Sequence, residues 1–407
     1  MPIKTNGRKI NVCILSPGLP VPPAKGGAIE TLIDETARRY KASAARVFFE
    51  ETDAGPSSRG ADGALDSRPV RVSAAQRSLQ RFLNRPARRG LFFLYDSFFI
   101  RQVLREIDFE PDIFHIHNNF YYLPRLKSHF PRARFVLHMH NDFLFEHARL
   151  HRRYRRVLED VDKLIAVSGY VARRILDHDA VCRPKVIVIP NGVSPTRFRK
   201  LPPDDPALEE WRGRLGLGRE DRVILFVGRI HPIKGVDVLL RAFGDLRRGP
   251  GRLRLLIAGS SWFAEGRTTP YLEKLRRLSR PMGESVIFTG FVPHERLNYL
   301  YNLAELCVVP SVCQDPFVLV NVEAMAAGCA VIASATGGIP EVVTHRQTGI
   351  LVPPGDADSL CRNMRFLLDH EADRLDLVRR ASQVVKDRYS WSLVAERYEA
   401  VYRELVG

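Results

Sequence analysis

The stretch PSVCQDPFVLVNVEAMAAGCAVIASATGGIPEVVTH, residues 310–345, decides the fold of this chain. Asp315 lies in a proline-containing loop, and Glu323 follows eight residues later in an apolar run that predicts a helix. A short apolar strand comes next, and the pair Gly337 and Gly338 opens a second helix. Such alternation is typical of parallel α/β sheets, in which ligands bind where strands run out into loops. Two carboxylates beside two helix N-termini predict a pocket for a ligand with hydroxyl and phosphate groups.

The same alternation of strands and helices extends in both directions from this stretch. With 407 residues, the chain is long enough for about two domains. We therefore predict an α/β protein with two Rossmann-like domains, residues 1–196 and 197–385, whose parallel sheets face each other across a cleft. The predicted strands cover residues 10–16, 113–117, 134–138, 163–167, 186–189, 223–227, 253–258, 286–289, 306–309, 330–333 and 349–352.

Other segments predict loops or helices. Residues 51–69 are polar and rich in Gly and Pro, which predicts a loop. Residues 73–108 predict a long helical stretch, and its apolar run LFFLYDSFFI, about ten residues long, is too short to cross a bilayer. Residues 199–221 predict a linker with a short helix, and residues 357–407 predict helices.

The composition is that of a soluble globular protein. The polar start MPIKTNGRK lacks the apolar region of a signal peptide, and we find no apolar run long enough for a membrane span. The six cysteines are scattered and form no C-x-x-C pair, which indicates buried thiols in a reducing cytosol. We therefore expect a cytoplasmic protein.

The net charge of +16 is concentrated in the first half of the chain, because residues 1–196 hold 32 Lys and Arg against 20 Asp and Glu. We favour solvated helix faces as the explanation. The alternative is an anionic membrane surface, which would make the protein peripheral at the inner face of the membrane, or a phosphate-bearing acceptor. Nucleic acid is not expected, since no nucleic-acid-binding module accompanies the charge. The basic runs are Arg77, Arg81, Arg85, Arg88 and Arg89, and Arg149, Arg152, Arg153, Arg155 and Arg156 with His147 and His151.

A diphosphate site is predicted where the strand Phe226-Val227-Gly228-Arg229 ends. Arg229 offers a planar set of donors, and Lys234 follows in the same loop as a point charge. Backbone N–H groups at the helix start near Phe317, Val318, Leu319 and Val320 would add anion-binding donors. The alternative is that both cations are ordinary surface residues in a turn. The carboxylates downstream favour a binding site.

The two acids predict contacts to sugar hydroxyls. Glu323 lies on a helix of apolar and small residues, so its carboxylate is buried and needs partners, which ribose hydroxyls could supply. Asp315 could accept hydrogen bonds from a sugar. Two alternatives remain open: Glu323 caps neighbouring backbone, or Asp315 caps the helix that begins at Pro316 and Phe317. Glycoside hydrolysis by the pair is a further alternative, although no feature aims the two acids at opposite faces of a glycosidic bond.

In the first domain, Gly26 and Gly27 lie at a loop-to-helix junction and allow close backbone approach to a ligand. Four histidines lie near the ends of two strands. Zinc binding is an alternative that we do not favour, because we expect each strand's pair of histidines to share a face only within that pair. His140, at a strand exit, is the residue that we expect to reach the reaction centre. The four histidines are His115, His117, His138 and His140.

Taken together, the motifs resemble the retaining glycosyltransferases of family 4, which have the GT-B fold. HMHND and GSSWF further resemble the branch linked to spore coats and polysaccharides. The motifs are Gly26-Gly27, FVLHMHND, KLIAVSGYV with Ser168, PNGVSPTRF, FVGRIHPIKGVDVLL, LIAGS, FTGFV, Pro310-Ser311, the 315–323 stretch and the terminal WSLVAERYEAVYREL.

The resemblance implies a role for each matching residue. Arg229 and Lys234, with Gly228 and the 317–320 backbone, would hold the donor diphosphate, and Glu323 would bind the ribose. Asp315 would bind the donor sugar, His140 would line the reaction centre, and Gly26 and Gly27 would approach the donor phosphate or the acceptor. Residues 386–407 would form a helix that crosses back to the first domain. The family usually has Glu at position 315 and Gly at position 318, where this chain has Asp and Val.

We predict transfer of a sugar from a nucleotide-sugar, UDP-sugar favoured, to a glycan or lipid-linked acceptor in polysaccharide, cell-envelope or spore-coat biosynthesis. The resemblance implies retention of configuration and no metal or other cofactor. A nucleotide-sugar epimerase of the same fold and a coat or scaffold protein with weak or no activity are the alternatives. Nucleotide release that depends on acceptor would distinguish transfer from both.

Overall fold

The computed structural model describes residues 8–16, 20–21, 27–51, 65–76, 78–79, 98–141, 157–178, 180–247, 252–260 and 268–407. They belong to two compact units. The first unit consists of Met1–Asn191 with Trp391–Gly407, and the second unit consists of Gly192–Ser390. The predicted pair of Rossmann-like domains with parallel sheets is confirmed.

The first unit is built on a seven-stranded sheet in the order β3-β2-β1-β4-β5-β6-β7. All neighbouring strands pair in parallel. Its strands are β1 (Ile10–Leu15), β2 (Ser43–Glu50), β3 (Asp66–Val70), β4 (Ile113–His117), β5 (Arg134–Met139), β6 (Lys163–Ala166) and β7 (Val186–Val188), and its helices include α1 (Ala28–Ala37), α2 (Phe98–Glu106), α3 (Leu123–His129) and α4 (Gly169–His178).

The strands β2 and β3 correct the sequence analysis. We predicted no strand over 43–50, and we assigned 66–69 to a loop, yet both segments join the sheet. The segment DSRPV has little strand propensity of its own, and its proline is tolerated because β3 is an edge strand. Arg68 anchors it through hydrogen bonds of 3.0 Å to Asp66 and 2.7 Å to Asp108. Tertiary pairing thus decides this strand.

The second unit contains a six-stranded parallel sheet in the order β10-β9-β8-β11-β12-β13. Buried side chains alternate between its faces, since Ile224 and Leu225 belong to different apolar clusters, as do Val308 and Cys307. The strands are β8 (Arg222–Val227), β9 (Leu253–Ala258), β10 (Val286–Gly290), β11 (Leu306–Val309), β12 (Ala330–Ser334) and β13 (Ile350–Val352), and the helices include α5 (Pro206–Leu215), α6 (Val236–Leu246), α7 (Pro270–Ser279), α8 (Leu297–Leu303), α9 (Leu319–Ala326), α10 (Ile339–Val342), α11 (Ala357–Asp369) and α12 (Glu371–Arg388).

The terminal helix α13 (Trp391–Val406) belongs to the first unit, where it packs against α1 and β1. Its buried Tyr402 hydroxyl lies 3.0 Å from the Tyr40 hydroxyl. The Glu399 carboxylate accepts a hydrogen bond of 2.7 Å from the backbone N–H of Ala42. The chain therefore leaves the first unit at Asn191 and returns to it at Trp391.

In the part of the chain that the structure describes, no helix has both the length and the apolar character needed to cross a bilayer. The cysteines are free thiols, and four of the six are buried, as predicted, whereas Cys313 and Cys361 are half-buried. The two basic runs and residue Gly26 lie outside the described residues.

Candidate active site

Three loops meet at the carboxyl edge of the second unit's sheet. They follow β8, β11 and β12, and backbone hydrogen bonds join them: Val312 N–H to the Ile233 carbonyl at 2.9 Å, and Gly338 N–H to the Asp315 carbonyl at 2.7 Å. Glycine allows the backbones of these loops to lie this close together. At Gly337, which has φ of 58°, a Cβ atom would lie 2.1 Å from the Asp315 carbonyl oxygen.

Lys234 and Asp315 form an ion pair at this edge. The Lys234 ammonium donates to both carboxylate oxygens, at 2.7 and 2.8 Å, and both side chains are largely buried. Gly235 permits the contact, because a Cβ there would lie 2.0 Å from the Pro310 carbonyl oxygen. The ammonium has three N–H donors, so one remains for another acceptor. A carboxylate also has more acceptor sites than this pair uses.

The alternative that Asp315 caps the following helix is wrong. In the described structure α9 begins after Val318, and no side chain caps its first turn. The backbone N–H groups of Leu319 and Val320 lie in the first turn and have no intrahelical carbonyl partner, so they are available as donors. Phe317, Val318, Leu319 and Val320 are half-buried. This helix start therefore retains anion-binding capacity beside Asp315.

Arg229 is exposed at the exit of β8. Its guanidinium has no partner among the side chains and backbone groups of the described residues. The preceding Gly228 packs closely on the neighbouring strand exit, since a Cβ on Gly259 would lie 1.8 Å from the Gly228 carbonyl oxygen. Arg229 therefore differs from Lys234, whose charge is already paired.

Glu323 is buried on α9 with both of its carboxylate oxygens bonded. One oxygen accepts from the Tyr301 hydroxyl at 2.8 Å, and the other lies 2.6 Å from His294 Nε2. Burial opposes protonation of His294, but the charge of Glu323 and its hydrogen bond together outweigh burial and raise the pKa of the imidazole. The alternative that Glu323 caps neighbouring backbone is wrong, because its partners are side chains. Sequence analysis missed His294, whose only signal was its place after the exit of β10.

In the first unit, the four histidines form one cluster, which corrects our expectation that the two pairs would diverge. The parallel register of β4 and β5 sets His117 opposite His138, so both pairs share a face. His140 Nε2 lies 2.8 Å from His117 Nδ1, and His115 Nε2 lies 3.2 Å from His138 Nδ1. The other ring nitrogen of His115 lies 2.6 Å from the Tyr402 hydroxyl.

Desolvation within this cluster keeps the rings neutral. Burial lowers the pKa of His140 and of His115 to about 3. Burial, followed by repulsion from the neighbouring rings, holds the pKa of His117 and His138 well below the usual value. The nitrogens of His115, His117 and His138 lie within 4.8 Å of one another. His140 is half-buried at the strand exit, and as a neutral imidazole it offers one donor and one acceptor.

Gly27 precedes α1, and its carbonyl accepts a hydrogen bond of 2.9 Å from the Thr31 N–H. With φ of 153°, its backbone conformation is one that glycine adopts easily. The predicted loop-to-helix junction is therefore present at Gly27 in the first unit.

Comparisons with known proteins cover both units. The family description "Glycosyltransferase Family 4" matches residues 27–197, and "Glycosyl transferases group 1" matches residues 208–384. The chain is 31% identical over 293 residues to the lipopolysaccharide 1,2-N-acetylglucosaminetransferase of Salmonella typhimurium, covering 71% of this chain and 72% of that protein. It is 28% identical to spore coat protein SA of Bacillus subtilis, covering 72% and 78% of the two chains.

Solved structures share the fold. Anabaena HepE in complex with UDP and glucose superposes with a TM-score of 0.75 at 20% identity, over 96% of this chain and 99% of that one. Sucrose-phosphate synthase from Thermosynechococcus elongatus has a TM-score of 0.77 at 22% identity, over 98% and 99%. These comparisons do not favour the epimerase or scaffold alternatives. With a Family 4 region in its first unit and a group 1 region in its second, the chain belongs to the GT-B glycosyltransferases.

Proposed function

We propose that this glycosyltransferase moves a sugar from a nucleotide-sugar, UDP-sugar favoured, to a glycan or lipid-linked acceptor in polysaccharide, cell-envelope or spore-coat biosynthesis. The Lys234–Asp315 pair carries the proposal, because it fixes a cation and a carboxylate beside an uncapped helix start. The names of the relatives support a glycan acceptor, and UDP in the HepE complex supports the choice of nucleotide.

Leaving-group stabilisation is the main contribution that we assign to the second unit. Lys234 would donate its third N–H to a phosphate oxygen, and Arg229 and the N–H groups of Leu319 and Val320 would share the charge that develops on the diphosphate. Asp315 holds the ammonium in place beforehand, so little reorganisation is needed. Asp315 would also accept a hydrogen bond from the donor sugar.

The ribose would bind beside Glu323, which keeps acceptor sites although both oxygens already have protein partners. In the first unit, neutral His140 would line the reaction centre, and Gly27 would let the backbone approach the donor phosphate or the acceptor. We propose front-face attack with retention of configuration, assisted by the leaving phosphate, and no metal requirement.

The test measures nucleotide release from a panel of UDP- and other nucleotide-sugars, with EDTA present and with or without acceptor extract. We expect release that rises with acceptor and a product of unchanged anomeric configuration. Lys234→Ala should lower turnover at least about tenfold, or about 1.4 kcal/mol.

Lys274→Ala is the matched control. Lys274 pairs with Asp237 at 2.9 Å in the same unit, but its side chain is 49% exposed, and turnover should stay within about twofold of wild type. Equal activity of the Lys234→Ala protein and the wild type would refute the phosphate assignment. Isomerised donor without nucleotide release would refute transfer.

A further inference from the structure

A cavity of about 880 Å³ lies in the second unit, at the edge of the sheet opposite the candidate active site. Asp221 and Glu305, which line it, precede the strands β8 and β11, whereas Lys234 and Asp315 follow them. Six residues of β8 at about 3.3 Å each separate the two edges by roughly 20 Å. All residues that line the cavity fall between 195 and 386, within one unit.

The lining of this cavity is strongly basic. Eight Lys and Arg side chains line it, against three Asp and Glu. Two of the acids are already paired. Glu305 accepts 2.8 and 2.7 Å hydrogen bonds from Arg222, and Asp221 lies 3.2 and 3.1 Å from Arg252 and Arg254. Four other lining cations pair with carboxylates outside the lining: Arg212 and Arg219 with Glu209, Arg374 with Glu371, and Arg379 with Asp376.

Three of the lining cations, Arg199, Lys200 and Lys386, have no carboxylate partner anywhere in the described ranges of the chain. The Lys200 stem is held against the backbone, since a Cβ on Gly328, where φ is 75°, would lie 3.2 Å from the Lys200 Cδ atom. The first two come from the segment before α5 and the third from α12, so the cations converge from separate elements.

Helix dipoles oppose this charge but do not cancel it. The helices α8 and α9 end at the cavity, where Leu303 and Ala326 line it, and each C-terminus carries roughly half a negative charge. Their sum of about one negative charge is small against the three positive charges of Arg199, Lys200 and Lys386, which have no carboxylate partner in the described residues. The cavity therefore favours an anion.

The size and shape of the cavity favour a small molecule. Its volume falls within the range of roughly 300–1,000 Å³ that is typical of small-molecule sites. Leu303, Ala326, Val378 and Val385 contribute apolar walls, next to which charge interactions are stronger than in bulk water. A concave site of this kind suits a soluble ligand better than a flat membrane surface.

We propose that this cavity is a second anion site that binds the phosphate groups of a small soluble molecule, with Arg199, Lys200 and Lys386 as its ligand-binding cations. It is separate from the diphosphate site at Lys234, and it does not depend on the proposed sugar transfer. Phosphate is the favoured anion because one such group offers several charged oxygens to cations that arrive from different directions.

The experiment titrates the full-length protein with inorganic pyrophosphate by isothermal titration calorimetry at low salt, with UDP present in excess. We expect pyrophosphate binding that UDP does not displace and that weakens as salt is added. The double substitution Lys200→Ala with Lys386→Ala should weaken this binding at least about tenfold, because two charge-assisted contacts are lost.

Arg276→Ala with Arg277→Ala is the matched control, since it removes two exposed cations of α7 outside the cavity. Pyrophosphate affinity of this control should stay within about twofold of wild type, with circular dichroism confirming the fold of each variant. Equal affinity in all three proteins, or no binding by wild type, would overturn the proposal.

A Lys234→Ala protein separates the two sites. UDP-insensitive pyrophosphate binding that persists in this variant supports the cavity, even if the wild type fails to bind UDP and the proposed donor site is thereby refuted. Binding that disappears in Lys234→Ala but survives in Lys200→Ala with Lys386→Ala would assign the pyrophosphate to the active-site edge and overturn the cavity site.

Discussion

At the scale of single residues, the contacts of Glu323 make the stability of the second unit depend on pH. Its carboxylate is buried between His294 and Tyr301. The folded pKa of His294 is raised, so the pair stabilises the fold fully below the unfolded pKa of about 6.5, and this contribution is lost as pH rises through the folded pKa.

We expect His294→Gln to cost about 1–3 kcal/mol of unfolding free energy at pH 6 and clearly less at pH 9. Urea unfolding at the two pH values measures the difference. Tyr301→Phe is the control, because it removes a neutral hydroxyl from the same carboxylate, and its cost should change little between pH 6 and 9. A His294→Gln cost that is equal at both pH values would contradict the charged pair.

At the scale of elements, the loops that follow β8, β11 and β12 are joined by backbone hydrogen bonds, and their close approach requires glycine. Gly337→Ala would place a Cβ 2.1 Å from the Asp315 carbonyl oxygen, at φ of 58°. We expect a loss of at least about 2 kcal/mol in unfolding free energy, together with lower turnover, as the Asp315 loop shifts.

Gly213→Ala provides the comparison for this substitution. Gly213 lies exposed on α5, and an added Cβ would meet nothing within 4 Å. Alanine there should stabilise the protein by roughly 0.5–1 kcal/mol, because glycine is a poor helix former. Thermal unfolding of both variants measures the contrast. Equal stability of the Gly337→Ala and Gly213→Ala proteins would show that position 337 tolerates a side chain.

At the scale of the whole molecule, we expect the first unit to be sensitive to acid, because it holds four neutral histidines in one cluster and buries three of them. Their folded pKa values are depressed, so the unfolded chain binds more protons as pH falls below about 6.5, and stability falls with it. Each such histidine costs up to about 1.4 kcal/mol per pH unit until the folded pKa is reached.

We expect the midpoint of thermal unfolding to fall steeply between pH 7 and pH 5, and to fall less steeply in His138→Gln, which removes one titrating ring. Calorimetry across this range makes the measurement. Identical slopes for the wild type and the variant would show that His138 is not a neutral buried group.

The local pattern of apolar residues and glycines in the sequence predicted much of the architecture. The strands at 113–117, 253–258 and 306–309 have the predicted bounds, because each is a short run in which apolar residues predominate. The helix that carries Glu323 and the helix after Gly337 and Gly338 also lie where predicted. In contrast, β3 could not be found this way, since a polar segment becomes a strand only by pairing at the sheet edge.

The sequence by itself determined the alternating elements, the family and the residue types at the strand exits. Tertiary structure alone decided the partners: Lys234 with Asp315, 81 residues away, and Glu323 with His294, 29 residues away. It also brought four histidines onto one face through the register of β4 and β5. Short-range periodicity follows from backbone geometry, whereas ion pairs and desolvation depend on which distant segments the fold brings together.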